Sequence, residues 1–533
     1  MKNKLQYIYL MKSLSTIIII TFFSTAAFAQ AGMLDSTFNG DGKVSVEFLP
    51  YPPAVCTSEA IQTDGKILIA GRDSDNHFIL MRFKTDGSTD LSFGNSGFVT
   101  MYFDSAYDNV ISDIKIQPDG KIVIAGSEGT SSYYYHFVVV RFLTDGSVDS
   151  SFGTNGIVIT DFGGAGSRAN SLVIQPDGKI VASGYRWTAD VDFVMARYLS
   201  DGSLDASFNG TGKVITSINP IAADFAYQVA LQSDGKILIC GTTSVSQDTS
   251  HYAIVRYLSN GVLDSSFGTN GIVQGTNEGD DQYAGRIVEQ PDGKILLSGR
   301  TMVSYYDFDW TLMRLENNGQ PDTSFGINGL ITTDFSGSVD MAGSLILQPD
   351  GKILVAGSAT ISGDQADVAL IRYLPGGSFD STFGVNGKVT TDFAGGDEGG
   401  QQILLQADGK IVVCGTSRTA GDDSYTFILC RYLNKYDQGD NFVKDVWLSN
   451  EALLYPNPAH LTEQLEYTLT KNESLTIALY DVNGKLIRNF ISNEQREAGA
   501  HKETLYIGEL PSGNYFLTIS NREQKMTVKL VQQ

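Results

Sequence analysis

Short apolar runs, separated by turns rich in glycine and aspartate, fill the chain from about residue 55 to residue 434. In one stretch Ser171-Leu-Val-Ile-Gln175 reads as a strand (A) that ends at the turn Pro176-Asp177-Gly178. Lys179-Ile-Val-Ala-Ser183 reads as a second strand (B), stopped by Gly184. Phe193-Val-Met-Ala-Arg-Tyr198 is a third (C), followed by Asp201-Gly202, and Gly212-Lys-Val-Ile-Thr216 is a fourth (D). β-Branched and aromatic runs of this length between turn residues predict strands, and no 3.6-residue period of helical length occurs among them. Strands B and C are nearly continuous in apolar residues, which predicts burial on both faces, as when sheets stack.

The pattern repeats. A Gln-x-Asp-Gly-Lys turn begins at Gln62, Gln117, Gln175, Gln232, Gln290, Gln348 and Gln406, at spacings of 55 to 58 residues. A second signature, Asp-x-(Ser/Thr)-Phe-(Gly/Asn)-x-x-Gly, begins at Asp35, Asp90, Asp149, Asp205, Asp264, Asp322 and Asp380. Seven four-stranded antiparallel units predict an all-β, seven-bladed propeller, whereas an open solenoid has shorter repeats and needs caps. The phase of the repeat predicts how the ring closes. Residues 33–48 carry a D strand with no blade of its own, and the last repeat ends after its C strand at Arg431-Tyr432-Leu433. Pairing the two hides both edges. Each C strand also carries an arginine (Arg82, Arg141, Arg197, Arg256, Arg314, Arg372, Arg431). Six of these have an aspartate eight residues later, but Arg431 has Gly439. Closure supplies Arg431 with Asp35 as its structural ion pair.

Targeting and charge narrow the setting. Residues 1–29 read as a signal peptide: Lys12, an apolar run Leu14–Ala29 too short for a span of about 20 residues, and the small-x-small pattern Ala27-Phe28-Ala29, which predicts cleavage between Ala29 and Gln30. No cysteine stands there, which disfavours a lipoprotein, and no later stretch is long and apolar enough to span a membrane. The formal net charge is −22. Loss of the leader removes three lysines and no acid, so the mature chain is more acidic still; this argues against nucleic acid as a partner and is equally the ordinary way a soluble extracellular protein avoids aggregating. Cys56, Cys240, Cys414 and Cys430 are too few for a disulfide scaffold. Cys414 and Cys430 lie on consecutive strands where they could meet.

The Leu-Asp-x-Ser-Phe-Gly, Gln-Pro-Asp-Gly-Lys-Ile and Arg-Tyr motifs together resemble the delta-60 repeat, a β-propeller family of secreted bacterial proteins. The resemblance covers about 33–434 and implies a fold without an activity. The tail contains Leu454-Tyr-Pro-Asn-Pro458, Ile477-Ala-Leu-Tyr-Asp-Val-Asn-Gly-Lys485, Leu510-Pro-Ser-Gly-Asn-Tyr-Phe516 and Lys525-Met-Thr-Val-Lys-Leu530. It resembles the type A C-terminal sorting domain of the type IX secretion system of Bacteroidetes. Alternating strands and the Asn483-Gly484 hairpin turn suit a small Ig-like β-sandwich. This likeness implies the secretion machinery as partner, export across the outer membrane and a secreted or surface-attached product. The expected organisation is signal peptide 1–29, propeller 30–434, polar linker 435–450 and sorting domain 451–533, as a monomer.

Comparison of the repeats separates scaffold from candidate site. The A–B turns and C–D connections hardly vary, whereas the B–C loops and D–A connections do, and these share the opposite face. The variable loops carry Tyr133, Tyr134, Tyr135, Tyr185, Trp187, Tyr305, Tyr306, Phe308 and Tyr425, rings suited to sugars or protein surfaces. Packing between blades is the plainer reading of them. A ring of His77, His136, Asp192, His251, Asp309, Asp367 and Thr426 precedes strand C; one member per blade is expected to cap loops rather than share a metal. Arg286 and Glu289 depart from the repeat and suggest a local ion pair. No Gly-x-Ser-x-Gly, His-Glu-x-x-His, phosphate loop or zinc spacing occurs. No cofactor is implied, and Ca²⁺ at the Asp-Gly loops has no EF-hand pattern behind it. A binding scaffold for a glycan or protein is the leading expectation. A polysaccharide hydrolase or lyase using carboxylates of the variable face is the alternative.

Overall fold

A computed structural model describes residues 31–434 and 453–532, apart from short breaks of which 47–54, 103–108, 419–424 and 456–461 are the longest. The signal peptide with its Ala29–Gln30 bond, the linker 435–450 and the Asn483-Gly484 turn lie outside the described residues. The chain forms two compact units, one up to Asp437 and the other from Gln438 onward.

The first unit is a seven-bladed β-propeller of four-stranded antiparallel sheets. Blade 3 consists of Gly166–Ile174, Ile180–Trp187, Val191–Tyr198 and Lys213–Thr216, hydrogen-bonded in that order. Its C strand is buried at all eight positions, as continuous apolar runs require. Every A strand has a register shift, between Ala169 and Ser171 in blade 3 and at the matching place elsewhere. Such bulges bend and twist a strand. Each A strand packs against the A strands of both neighbouring blades, and Asp397–Leu405 of blade 7 packs against Val55–Ile61 of blade 1.

Blade 7 takes its outer strand from the start of the described chain. Lys43–Val46 lies beside Tyr425–Tyr432, with Lys43 opposite Cys430 and Val46 opposite Phe427. Gly32 and Leu433 extend the seam through a hydrogen bond of 2.6 Å from the Gly32 N–H to the Leu433 carbonyl.

One side-chain unit recurs at the outer edge of every blade and uses most of the repeat signature. The strand C arginine donates from Nε to its aspartate: Arg82 to Asp90 at 2.8 Å, Arg141 to Asp149 at 2.7 Å, Arg314 to Asp322 at 2.6 Å, and Arg431 to Asp35 at 2.8 Å. The guanidinium lies over the phenylalanine of the same signature, at 4.5 Å for Arg82 on Phe93 and for Arg431 on Phe38. Its Nη1 donates to a carbonyl of the next blade: Arg82 to Thr144, Arg141 to Ser200, Arg372 to Asn434, and Arg431 to Thr85. The lysine of the Asp-Gly-Lys turn joins from strand B, as Lys66 does with Asp90 at 3.4 Å and Lys410 with Asp35 at 3.0 Å. Burial pushes these carboxyls up, but hydrogen bonds from the neighbouring Ser or Thr and the cations outweigh it. Asp90, Asp205 and Asp380 are held down at about 2 and Asp35 is lowered by the same kinds of group. The Asp-Gly turn completes the joint. Gly87 has φ 87°, a conformation that favours glycine, and a Cβ there would press on the Phe38 ring of the preceding blade at 3.0 Å.

Two local pairings differ from expectation. Cys414 is opposite Leu429 and Cys430 opposite Val413. Neighbouring positions on paired strands point to opposite faces, so these two thiols do not meet. Cys414 instead packs in one apolar cluster with Cys56. Glu289 takes no ion pair from Arg286 among the described residues. It accepts from Gln232 Nε2 at 2.9 Å and the Ser233 N–H at 2.6 Å, bracing the turn of blade 4.

The second unit has a three-stranded sheet (Leu453–Tyr455, Thr462–Leu469, Gly499–Tyr506) and a four-stranded one (Leu486–Arg496, Glu473–Asp481, Gly513–Ser520, Lys525–Gln532). Leu465, Leu475, Ile477, Leu505, Leu517 and Ile519 form the core between them.

Replacement of Asp35 by Ala leaves Arg431 a buried cation without its carboxylate. The expected loss is about 3–5 kcal/mol of unfolding free energy at neutral pH, measured by denaturant titration. Because the folded protein depresses this carboxyl, its contribution is complete above the ordinary carboxylate range. The deficit shrinks as pH falls below that range and Asp35 of the intact protein takes up a proton. An unchanged midpoint at pH 7 contradicts the closure.

Candidate functional site

The two ends of the blades differ in kind. On one, each A–B turn repeats the same backbone bonds: the Gln175 N–H to the Lys179 carbonyl at 2.8 Å and the Gly178 N–H to the Gln175 carbonyl at 2.9 Å, with counterparts in all seven blades. On the other, where A strands begin and B strands end, the side chains change from blade to blade.

On that face, blades 2 to 5 carry a belt of aromatic and cationic groups. Trp187 and Tyr185, one above the other at the end of strand B, meet edge to face with centroids 4.8 Å apart. Tyr135 of blade 2 lies 5.6 Å from Trp187, and Phe225 of blade 4 lies 4.9 Å from Tyr185. Arg168, cross-strand partner of Tyr185, covers Tyr135 at 3.8 Å and Trp187 at 5.5 Å. Blade 5 repeats the arrangement with the roles exchanged. Tyr283 stands on strand A and Arg300 on strand B, directly paired, and Arg300 lies 4.9 Å from the Tyr283 centroid and 5.3 Å from Phe308. Tyr227 stands between the two groups. Burial pushes its hydroxyl up, the Thr242 hydroxyl and the Arg300 charge oppose this, and Tyr227 in turn acts on Tyr185. Beside Arg300 is a narrow crevice of about 30 Å³ lined by Tyr252, Gln282, Tyr283, Thr301 and Thr311. All the belt residues are partly exposed, so they present ring faces and guanidinium edges to solvent.

Tyr135, Tyr185 and Trp187 of the expected set thus come together, and Tyr134, 52% exposed, is next to them on its strand. Tyr133, Tyr305 and Tyr306 lie outside the described residues. Arg168, Phe225, Tyr227, Tyr283 and Arg300 were not among the residues singled out from the loops, because they sit on strands. A signal exists in the repeat alignment: Phe225, Tyr283 and Arg168 share one strand A position that is Val55 and Val110 in blades 1 and 2.

The polar ring before strand C turns out to have two parts. His77 and Asp73 approach to 2.8 Å, His136 and Glu128 to 3.3 Å, and Arg186 and Asp192 to 3.0 Å, all local partners that tie down the B–C hairpin. The ring members stay on separate blades, yet Asp309 meets Asp334 and Asp340, and Asp367 meets Asp392 and Glu398, with one carboxylate oxygen of each within 4.8 Å of the others. Each trio combines a C strand, the exit of the D strand and the entry of the next A strand, at the 5/6 and 6/7 junctions. Three hard oxygens are half of the six to eight that Ca²⁺ takes. Asp340 is completely buried and accepts from the Phe335 and Thr360 N–H groups at 2.8 and 3.2 Å. Burial first, then the charges of Asp334 and Asp309, push its carboxyl up to about 6 against those two bonds.

Comparison with known proteins identifies the repeats and the tail. Residues 62–93, 117–152, 175–208, 232–267, 290–325, 348–383 and 406–434 match the domain of unknown function DUF5122, a β-propeller. Residues 453–533 match the secretion system C-terminal sorting domain. The chain carries seven DUF5122 propeller repeats and a type IX sorting domain. The sorting domain engages the type IX secretion machinery, so this propeller is secreted or attached at the cell surface. No curated protein matches the chain. Among solved structures it is similar to a PL25 ulvan lyase (11% identity, 77% of this chain and 95% of that one, TM-score 0.43). It is also similar to a protein of unknown function from Dyadobacter fermentans (13%, 74% and 98%, 0.41) and to AofleA from Arthrobotrys oligospora (10%, 68% and 97%, 0.34). Likenesses this distant carry nothing about ligand or reaction. No helix among the described residues is long and apolar enough to cross a membrane.

A raised carboxyl favours the folded state below the ordinary Asp range and loses that contribution as pH rises toward 6. Replacement of Asp340 by Asn removes the titration but also one of two hydrogen-bond acceptors. The variant is therefore expected to melt below the parent at pH 4, with the gap narrowing by pH 8. A gap independent of pH in paired thermal melts contradicts the assignment.

Proposed function

We propose that this DUF5122 propeller is an extracellular binding scaffold whose ligand, a glycan or a protein surface, docks on the belt of blades 2 to 5. The observation that carries the reading is the grouping of Trp187, Tyr185 and Tyr135 around Arg168 on the face whose side chains vary. Aromatic side chains supply contact area at little entropic cost and tolerate flat apolar ligand faces. Arginine stacks on them and keeps a donor fork for polar groups at the rim. The blade frame beneath is rigid, because each blade is tied to the next by a buried arginine, so the rings are held in place before a ligand arrives and less order has to be imposed on binding. Type IX export delivers this face to the cell exterior, where polysaccharides and foreign proteins are the polymers within reach.

Two measurements check the reading. The double variant Trp187→Ala, Tyr135→Ala is expected to fold with a melting curve close to the parent and to lose at least tenfold in affinity for whatever the parent binds on a glycan and protein array. A parent that binds nothing on such an array removes the support for the scaffold. Deletion of 453–533 is expected to leave the propeller inside the cell envelope, read by protease accessibility on intact cells; continued display at the surface contradicts the role of the tail.

A further inference from the structure

Arg300 and Arg168 are the two arginines of the belt, and each has a buried Nε with no hydrogen-bond partner among the described residues. The seven of the blade edges each hold an aspartate, Arg186 holds Asp192 at 3.0 Å, and the Arg168 guanidinium bonds the Tyr185 hydroxyl. Arg300 has aromatic rings on its faces, its Nε is buried, and among the described residues that nitrogen has no hydrogen-bond partner and the guanidinium no carboxylate. This is so in a chain with 60 acidic residues against 38 basic ones. A buried Nε–H without an acceptor is destabilising, and the position carries no fixed residue type, being Arg72 in blade 1, Ser127 in blade 2, Tyr185 in blade 3 and Thr242 in blade 4. A second group on the same crevice is in the same state: Gln282, 8% exposed, has its Oε1 buried with no donor among the described residues. Among the described residues, one crevice therefore offers an unused Nε–H donor and an unused acceptor, beside the rings of Tyr283 and Tyr252 and the hydroxyls of Thr301 and Thr311.

The missing partner must bring an oxyanion to Arg300 and a hydrogen-bond donor to Gln282 while laying an apolar face on a ring. We propose that Arg300 and Gln282 form an anion-recognising subsite for an acidic polysaccharide, Arg300 taking a carboxylate or sulfate group and Gln282 a hydroxyl of the same or the adjoining sugar. This rests on the reading of the belt as a binding face and names its ligand class. A saccharide fits better than an acidic peptide. Its hydroxyls place donors beside the charge, and its C–H faces suit the Tyr283 ring. A dense run of acidic residues would also meet the carboxylates of Asp309 and Asp334 at the adjoining junction. The belt continues from Tyr283 through Tyr227 to Tyr185 and Trp187, so a chain seated at Arg300 has further rings along its path.

The test uses the full mature chain and four probes: polygalacturonate (carboxylate), dextran sulfate (sulfate), dextran (neutral sugar) and polyglutamate (acidic peptide), with affinities from calorimetry or affinity electrophoresis. Polygalacturonate or dextran sulfate is expected to bind at least tenfold tighter than dextran and polyglutamate, and whichever of the two binds tells carboxylate from sulfate. Arg300→Gln is expected to abolish that tenfold preference. Arg300→Lys restores only part of it, because an ammonium lacks the planar fork. Gln282→Leu weakens the sugar probes without changing their salt dependence. Arg300→Gln gives up the stacking on Tyr283 and Phe308 but no ion pair among the described residues, so it is expected to melt close to the parent, which separates a binding loss from misfolding. Equal affinity of Arg300→Gln and parent, equal binding of dextran or of polyglutamate, or no binding of either acidic polysaccharide overturns the inference. In those cases a parent that still loses an array ligand on Trp187→Ala, Tyr135→Ala keeps the scaffold reading, whereas a parent with no ligand at all loses both.

Discussion

The structure depends on one buried contact made seven times: an arginine of strand C that holds an aspartate of its own blade, rests on a phenylalanine and donates to a backbone carbonyl of the next blade. The first two contacts are within a blade and the third is between blades, so folding of each unit and docking of its neighbour share one side chain. A buried ion pair stabilises only where hydrogen bonds satisfy its remaining donors and acceptors. Here the Ser or Thr of the signature, the turn lysine and the neighbouring carbonyl do so: Arg82 donates to Ser92 and Thr144, and Asp90 takes Lys66. The repeat signature is thus a description of this joint.

The seventh joint differs from the others in one respect. Arg431 and Asp35 are far apart in the chain, yet they meet at the 2.8 Å seen within single repeats. The same arginine donates to the Thr85 carbonyl of blade 1, so three segments converge at one guanidinium. A ring closed in this way exposes no unpaired strand edge at its seam, which matters for a chain that travels to the cell exterior without a disulfide scaffold.

With one face occupied by these joints and their turns, the other is free to vary, and it does so unevenly. Blades 2 to 5 present rings and two arginines, whereas the 5/6 and 6/7 junctions gather carboxylates. Arg300 and Asp340 show the two costs this entails: a cation with no carboxylate among the described residues and an acid kept near others, its carboxyl pushed up to about 6. Groups held at a cost on the variable face, while every arginine of the edge joints is satisfied, mark where the molecule meets something else.

The blade count, the strand order and the pairing of Asp35 with Arg431 were all legible in the chain, because each is a consequence of periodicity: a repeat read seven times has one position missing at its end and one in surplus at its start. The secretory tail was legible for a related reason, its motifs being local. What periodicity cannot supply is which residues of different repeats touch across a blade junction. Asp309 looks like one member of a dispersed ring until Asp334 and Asp340 arrive from a strand exit and the next blade, and Arg168 and Arg300 look like strand residues until their neighbours' rings close over them. Cys414 and Cys430, adjacent in the strand order, are parted by the pleat. The linear sequence determined the scaffold, since hydrogen-bonded strands and turns are set by residues close along the chain or repeated at fixed intervals. The tertiary structure alone decided the composition of the exposed face, since that depends on side-chain direction and on the stacking of one blade against the next.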